Sequence, residues 1–326
     1  MMGLQVDMQS VIGRFMVWAK TFRGSITLLA LFGLLLVPVT GNVYLSTILV
    51  TAMIYSIFAA SWDFLAGFAG QVSFGHAAFF GISAYFTAAF VEFVGVHWIV
   101  ALFIGGGYAI IFSLLIGIPC LRLKGPYLAL GTLAFSLIIW NLFLTGTWLG
   151  GTEGISGLPS LGNIFVVFYI VASFMVASLI IMRAIVDSRL GTILKAIRDD
   201  ETCADASGIN TTTYKLIAFM ISGFFAGIAG GLFVLHLTAV NPAVYQTLYS
   251  FYAIIMAAIG GMVTIYGSVI GAFLFTVLSE LLRPLAAASL LIFATILILI
   301  IRFAEEGVMN PVLERLQDVW DLIRRR

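Results

Sequence analysis

The sequence predicts an all-α polytopic membrane protein of about ten transmembrane helices with both termini cytoplasmic. Three observations carry that expectation. The chain is 62% hydrophobic and only 10% charged, and its mean hydropathy of +1.13 lies far above that of soluble domains. Apolar runs of the roughly 20 residues needed to cross a bilayer recur along it. Its basic residues also sort to one side of those runs.

The spans read near 26–40, 43–63, 73–93, 97–119, 127–145, 164–182, 214–236, 248–264, 266–282 and 285–303. An even number returns the chain to the side on which it began. On this count all of the 16 Lys and Arg residues except Arg283 share one face, including Arg14, Lys20, Arg122, Arg183, Lys195, Arg198, Lys215, Arg302 and Arg326. An excess of positive charge marks the cytoplasmic side. The stretch 248–282 is the least determined, because Gly260, Gly261, Gly267 and Gly271 could break a span or turn a re-entrant hairpin. The chain then divides into an amphipathic N-terminal segment at 1–25, a transmembrane domain at 26–303 and a cytoplasmic tail at 304–326. Within 4–22, Met8, Val11, Ile12, Phe15, Ala19 and Phe22 recur at helical spacing among basic residues, as in a helix lying on the lipid surface. The tail ends in three arginines suited to anionic headgroups.

Composition and motifs exclude several classes. A net charge of +1 gives no reason to expect a nucleic-acid partner. Cys120 and Cys203 face the cytoplasm in this topology and are expected to be reduced. Residues 1–25 hold no short apolar core ending in a small-residue cleavage site, so no cleavable signal is expected. Three scattered histidines make a metal site improbable. No GxxxxGK[ST] loop occurs, so the chain is not expected to cradle ATP in that manner. No nucleophile–base constellation falls within the spans, which argues against an enzyme. The span interiors are almost free of ionisable groups, whereas proton- or sodium-driven transporters usually place them there. Energy must come from another subunit, or the protein is a passive channel.

Three polar or glycine-rich stretches remain. Residues 63–85 carry Gly67, Gly70, Gly75 and Gly81 with Gln71, Ser73 and His76, poor material for a lipid-facing helix. Irregular backbone at membrane depth survives where protein buries it or water lines it, so the segment either lines a pathway or packs helices closely. The outward loop 146–162 holds six glycines with Trp148, Glu153 and Pro159; it is a flexible connector or a cover for a pore mouth. Gly223, Gly227, Gly230 and Gly231 have the spacing of close helix packing. His236 and His97 fall near the outer interface and read as solvated or capping residues.

The loop 183–215 is the densest charge in the chain, with five basic and five acidic residues between two apolar runs. From 190 to 206 it suits one amphipathic helix, with Ile193, Leu194, Ile197 and Ala204 on the apolar side. Lys195, Arg198, Asp199, Asp200, Glu201 and Asp205 form the charged side. Gly208 or Asn210 can end it in a left-handed conformation, and residues 211–213 can cap the next span. A rigid helix parallel to the membrane could push on the spans beside it.

At this loop the chain resembles the permeases of high-affinity branched-chain amino-acid ABC transporters, in particular the M-type member of the heterodimeric pair. The run SRLGTILKAIRDDETCADASGINTTTYKLIAFMISGFFAGIAGGLF carries the likeness, together with stretches at 65–85, 121–136, 145–161 and 257–274. The resemblance implies a multi-pass permease of a bacterial or archaeal cytoplasmic membrane that binds no cofactor itself. Its implied partners are a homologous second permease, two cytoplasmic ATPase subunits that use the ATP, and an extracytoplasmic substrate-binding protein. The coupling helix would fall at 196–208, with Glu201, Ala204 and Gly208 in its short acidic/Ala…Gly signature and Cys203 replacing the usual alanine. Lys195, Arg198, Asp199 and Asp200 would complete the ATPase contact, and Gly70, Gln71, Ser73, Gly75 and His76 would line the translocation path. The sequence departs from its relatives after the last span, where 302–307 lacks their Arg-Pro-x-Gly turn. Branched-chain amino acids are the expected cargo, moved by alternating access; urea or a short-chain amide is the alternative.

Overall fold

Asn42 starts the first long helix, its side chain accepting the Leu45 N–H at 3.0 Å, and the computed structural model carries that helix inward as α1 (Val43–Asp63). The structure describes residues 33–123, 125–146, 150–285 and 295. The N-terminal segment 1–25, the first part of the first expected span (26–32), nearly all of the span expected at 285–303 and the tail lie outside those residues, as do Lys124 and Trp148. After α1 follow α2 (His76–Glu92), α3 (Trp98–Cys120), α4 (Pro126–Thr145), α5 (Ile164–Val186), α6 (Arg189–Asp199), α7 (Glu201–Ala206), α8 (Thr211–Leu237), α9 (Thr247–Gly260) and α10 (Ile265–Leu282).

Six helices among the described residues are long and apolar enough to cross a membrane: α1 with its continuation to Phe68, α3, α4, α5, α8 and α10. Two of the ten expected spans are shorter than anticipated. α2 starts at His76 rather than 73 and has 17 residues; α9 has 14 and ends at Gly260. At 1.5 Å per residue α9 rises only about 21 Å. Each short helix follows an irregular stretch, 69–75 before α2 and 238–246 before α9.

The glycine pattern in α8 produces the core. A Cβ on Gly227 would press on Ala109 and Ser83, one on Gly223 on Ser113, and one on Gly230 on the Phe80 carbonyl. Bare glycine therefore lets α8 lie directly on α2 and α3, the close crossing expected of small residues. Across the core α1 and α10 run antiparallel. Tyr44 at one end of α1 donates to Glu280, which Arg283 also reaches at 3.1 Å. At the other end Asp63 meets Val263. The stretch 248–282 is a tight α9–α10 hairpin. Gly260 and Gly271 leave no space for a Cβ, one against the Gly267 carbonyl and the other against the Met256 carbonyl.

The single amphipathic helix expected over 190–206, and the coupling helix expected at 196–208, are instead the two helices α6 and α7. Asp200 breaks them: its backbone is extended (φ −155°, ψ 103°) and its side chain accepts the Cys203 N–H at 3.0 Å. Asp200 is thus an N-cap whose carboxylate satisfies an open donor of the second helix. Gly208 ends α7 at φ +83°, as expected. Asn210 caps α8 by accepting from Thr213 N–H at 3.1 Å, in place of the threonines that follow it.

At the opposite face, β1 (Ile155–Ser156) pairs antiparallel with β2 (Ala239–Val240). Leu158 N–H adds a bond to the Thr238 carbonyl at 3.3 Å. Residues 150–162 therefore lie folded against the α8–α9 link. By the distribution of basic residues, the α6–α7 side is called inner and the strand pair outer.

Candidate functional site

The sequence from α1 to α2 forms an elbow at the inner face. Phe64–Phe68 is a π-helical turn, a form frequent at functional sites because it inserts an extra residue and re-aims the chain. Gly70 at φ +69° then reverses direction. The returning strand is fixed to α1 and α4. Trp62 Nε1 donates to the Ser73 carbonyl at 2.8 Å, and Phe74 N–H donates to Thr132 Oγ1 at 3.0 Å. Gly75 lies so close to the Thr132 carbonyl that no Cβ fits. Ser73, Gly75 and His76 are all buried. His76 Nε2 is 2.9 Å from Ser61 Oγ, while Nδ1 has no partner. The first open donor of α2, Ala77 N–H, is taken by Ser250 Oγ at 2.9 Å.

The five expected path residues therefore divide. Ser73, Gly75 and His76 sit inside the helix packing. Gly70 is exposed and Gln71 half-buried at the inner surface, with Gln71 Nε2 donating to the Ala69 carbonyl at 3.1 Å. From His76 a row of rings leads outward: Phe58 at 5.2 Å, Phe80 at 4.8 Å from Phe58, then Phe233 and Tyr249 at 5.2 and 6.1 Å from Phe80.

The residues expected to couple to an ATPase divide as well. Arg198 turns toward the membrane domain: Nη1 donates to the Gly67 carbonyl at 2.9 Å, and its Cα and Cγ lie against Gly70. A cation at the carbonyl end of a helical turn is favoured by the turn's dipole. Lys195 Nζ reaches the Val186 carbonyl at 3.4 Å and lies 5.8 Å over the Phe68 ring. Glu201 pairs with Lys215, whose side chain is only 7% exposed, and so ties α7 to the base of α8. Ala204 is buried beneath α7. Asp199, Asp200 and Gly208 face outward from the domain, with Asp205 and Cys203 beside them.

Gly67 is the hub between these groups. A Cβ there would collide with Asp63 Oδ1 and the Val263 backbone. Asp63 is fully buried, and its Oδ1 accepts the Val263 N–H at 2.8 Å at the N-terminus of α10. Val263 itself holds φ +65°, a rare conformation for a β-branched residue. One carbonyl–guanidinium bond and one carboxylate–amide bond thus join α6, the elbow and the α9–α10 turn. Sequence reasoning placed Asp63 only at a span end; its signal was a lone carboxylate in an uncharged run. Among the described residues no group of three or more metal-ligating side chains comes together.

Glycine-mediated helix crossings, irregular buried backbone between broken helices and an amphipathic pair docked on one face define a multi-pass membrane permease. The chain belongs to the family of branched-chain amino acid transport system permease components, whose profile matches residues 44–301. It is 30% identical over 300 residues to the high-affinity branched-chain amino acid transport system permease protein LivM of Escherichia coli K12, covering 82% of this chain and 70% of that protein. Its identity to the LivM of Salmonella typhimurium LT2 is 29% over the same coverage. A solved structure, PsaBC from Streptococcus pneumoniae in complex with Fab, aligns with 89% of this chain and 94% of that chain at 17% identity and a TM-score of 0.46.

Proposed function

We propose that this chain is one of two homologous membrane subunits of an ATP-driven importer that carries leucine, isoleucine and valine across a bacterial or archaeal cytoplasmic membrane. Family membership and the LivM relatives support the cargo. The chain binds no cofactor. ATP is bound and hydrolysed by two cytoplasmic subunits, and a binding protein delivers the amino acid from the other side. With both termini cytoplasmic and about ten spans, α6 and α7 face the ATPases.

The observation that carries the mechanism is the bond from Arg198 to the Gly67 carbonyl. The exposed row Asp199, Asp200, Asp205 and Gly208 receives the ATPase, while Glu201 and Ala204 fix α7 to the domain. Closure of the ATPase pair displaces α6, and Arg198 and Lys195 pass that displacement to the elbow. The elbow leads directly into Gly70, Gln71, Ser73, Gly75 and His76, and through Gly67 it also bears on the α9–α10 turn. Alternating access then needs only that these two short helices tilt together, since both start within the packed domain rather than in solvent.

The test is uptake of labelled leucine and labelled urea, side by side, in cells carrying the partner subunits with and without this chain. Loss of leucine uptake alone is the expected result. Loss of urea uptake alone would overturn the cargo.

A further inference from the structure

We propose that the outer end of α8 and the link to α9 form a receiving site for a zwitterionic aliphatic amino acid, with Glu153 holding the ammonium and Asn241 the carboxylate. This rests on the amino-acid importer reading and assigns residues to it. The site is a cavity of about 340 Å³, within the range of small-molecule pockets, roughly 300–1,000 Å³. Phe233, Leu237, Val244 and Tyr249 supply apolar wall. Two of them, Phe233 and Tyr249, begin the row of rings that runs inward through Phe80 to His76.

The polar groups are arranged for opposite charges. Glu153 is exposed, and its carboxylate makes no hydrogen bond or ion pair with any described residue. Asn241 is oriented by the backbone two residues on. Its side-chain oxygen accepts the Ala243 N–H at 3.1 Å, so its NH₂ group is left to donate. The strand pair sets the separation of the two, because Ile155 opposite Val240 brings the Glu153 loop over the α8–α9 link. Gly154 lies so close to the Val240 carbonyl and Asn241 that no side chain fits between them. An acceptor for ammonium, a donor for carboxylate and an apolar wall together select a free amino acid over a neutral amide, a fatty acid or an amine. Few contacts and an open mouth suit a transient site, since cargo must leave as readily as it enters.

The experiment uses the complete importer in proteoliposomes, with binding protein outside and ATP within. The probe is a leucine analogue bearing a diazirine in its side chain, irradiated during turnover, and adducts are mapped by mass spectrometry. Adducts are expected on Leu237, Val244 or Tyr249. Glu153→Gln keeps the size and removes the charge of an exposed side chain, and it should lower their yield about tenfold, the loss of one charge-assisted contact. Excess leucine should abolish the adducts, whereas isovalerate and isoamylamine, each lacking one charge, should not. Adducts confined to other segments, or an unchanged yield in the variant, would overturn the site while leaving an amino-acid importer standing. Failure of the importer to take up either the analogue or leucine would overturn the importer reading, and this site with it.

Discussion

At the inner face, half-buried Arg198, buried Gly67 and Asp63, and exposed Val263 join three segments through directional polar contacts. At the outer face, residues 150–162 are held to the α8–α9 link by two paired residues per strand, one further backbone bond and the non-directional packing of Ile155 and Leu158. The inner contacts fix direction as well as distance, while a pair of two-residue strands is marginal by itself and depends on the apolar packing of Ile155 and Leu158. In the proposed mechanism the inner face moves as one piece, and the outer face, with fewer directional bonds, is the one that opens. Such an asymmetry is what a device pushed from one side and loaded from the other requires.

Gly67→Val breaks the inner side hardest. The new side chain must displace Asp63 or the Val263 backbone, an overpacking cost of about 1–3 kcal/mol at a position with no room to relax. Leucine uptake should fall to background, and the thermal melting of the purified importer should drop. Glu201→Lys comes next. It places a second ammonium beside Lys215, whose side chain is 7% exposed against 39% for Glu201, and losing such a half-screened pair costs about 1 kcal/mol or more. That variant should lose stability as well as transport; an unchanged melting temperature would mean that the pair does not anchor α7. Gly154→Val tests the outer side, where φ +75° and the nearby Val240 carbonyl both exclude a side chain. Opening the strand pair should reduce uptake several-fold and leave ATP hydrolysis intact. Equal loss of both activities would remove the distinction between the faces.

Much of this architecture was legible because it follows from periodicity and residue size. The apolar runs located α1, α3, α4, α5, α8 and α10 to within a few residues, and the spacing of Gly223, Gly227 and Gly230 announced the central crossing. The break at Asp200 was not legible. Residues on both sides of it favour helix, and the break rests on one exposed side chain that caps the Cys203 N–H while its backbone turns extended. The hub was hidden for a different reason. Asp63 and Val263 are 200 residues apart, and Arg198 lies 131 residues from Gly67, so nothing local announces their meeting. The sequence also grouped Lys195 and Arg198 with the solvent-facing charges, since helical spacing does not reveal that long basic side chains can curl back to carbonyls above them. Glu153 was legible only as a member of the glycine-rich outward loop, and its place beside Asn241 at one cavity depends on two-residue strands too short to leave a periodic signal.

In the proposed mechanism Arg198 passes the push of the ATPases to the elbow. Leucine uptake and ATP hydrolysis, measured together on the complete importer carrying Arg198→Ala, test it most directly. Arg198 is half-buried and its loss leaves the α7–α8 ion pair in place, so the complex should assemble. ATP hydrolysis should continue with the leucine carried per ATP reduced about tenfold or more, while Asp199→Asn, which removes only the Arg198–Asp199 pair, should leave that ratio unchanged. An unchanged ratio of leucine to ATP in Arg198→Ala would contradict the mechanism.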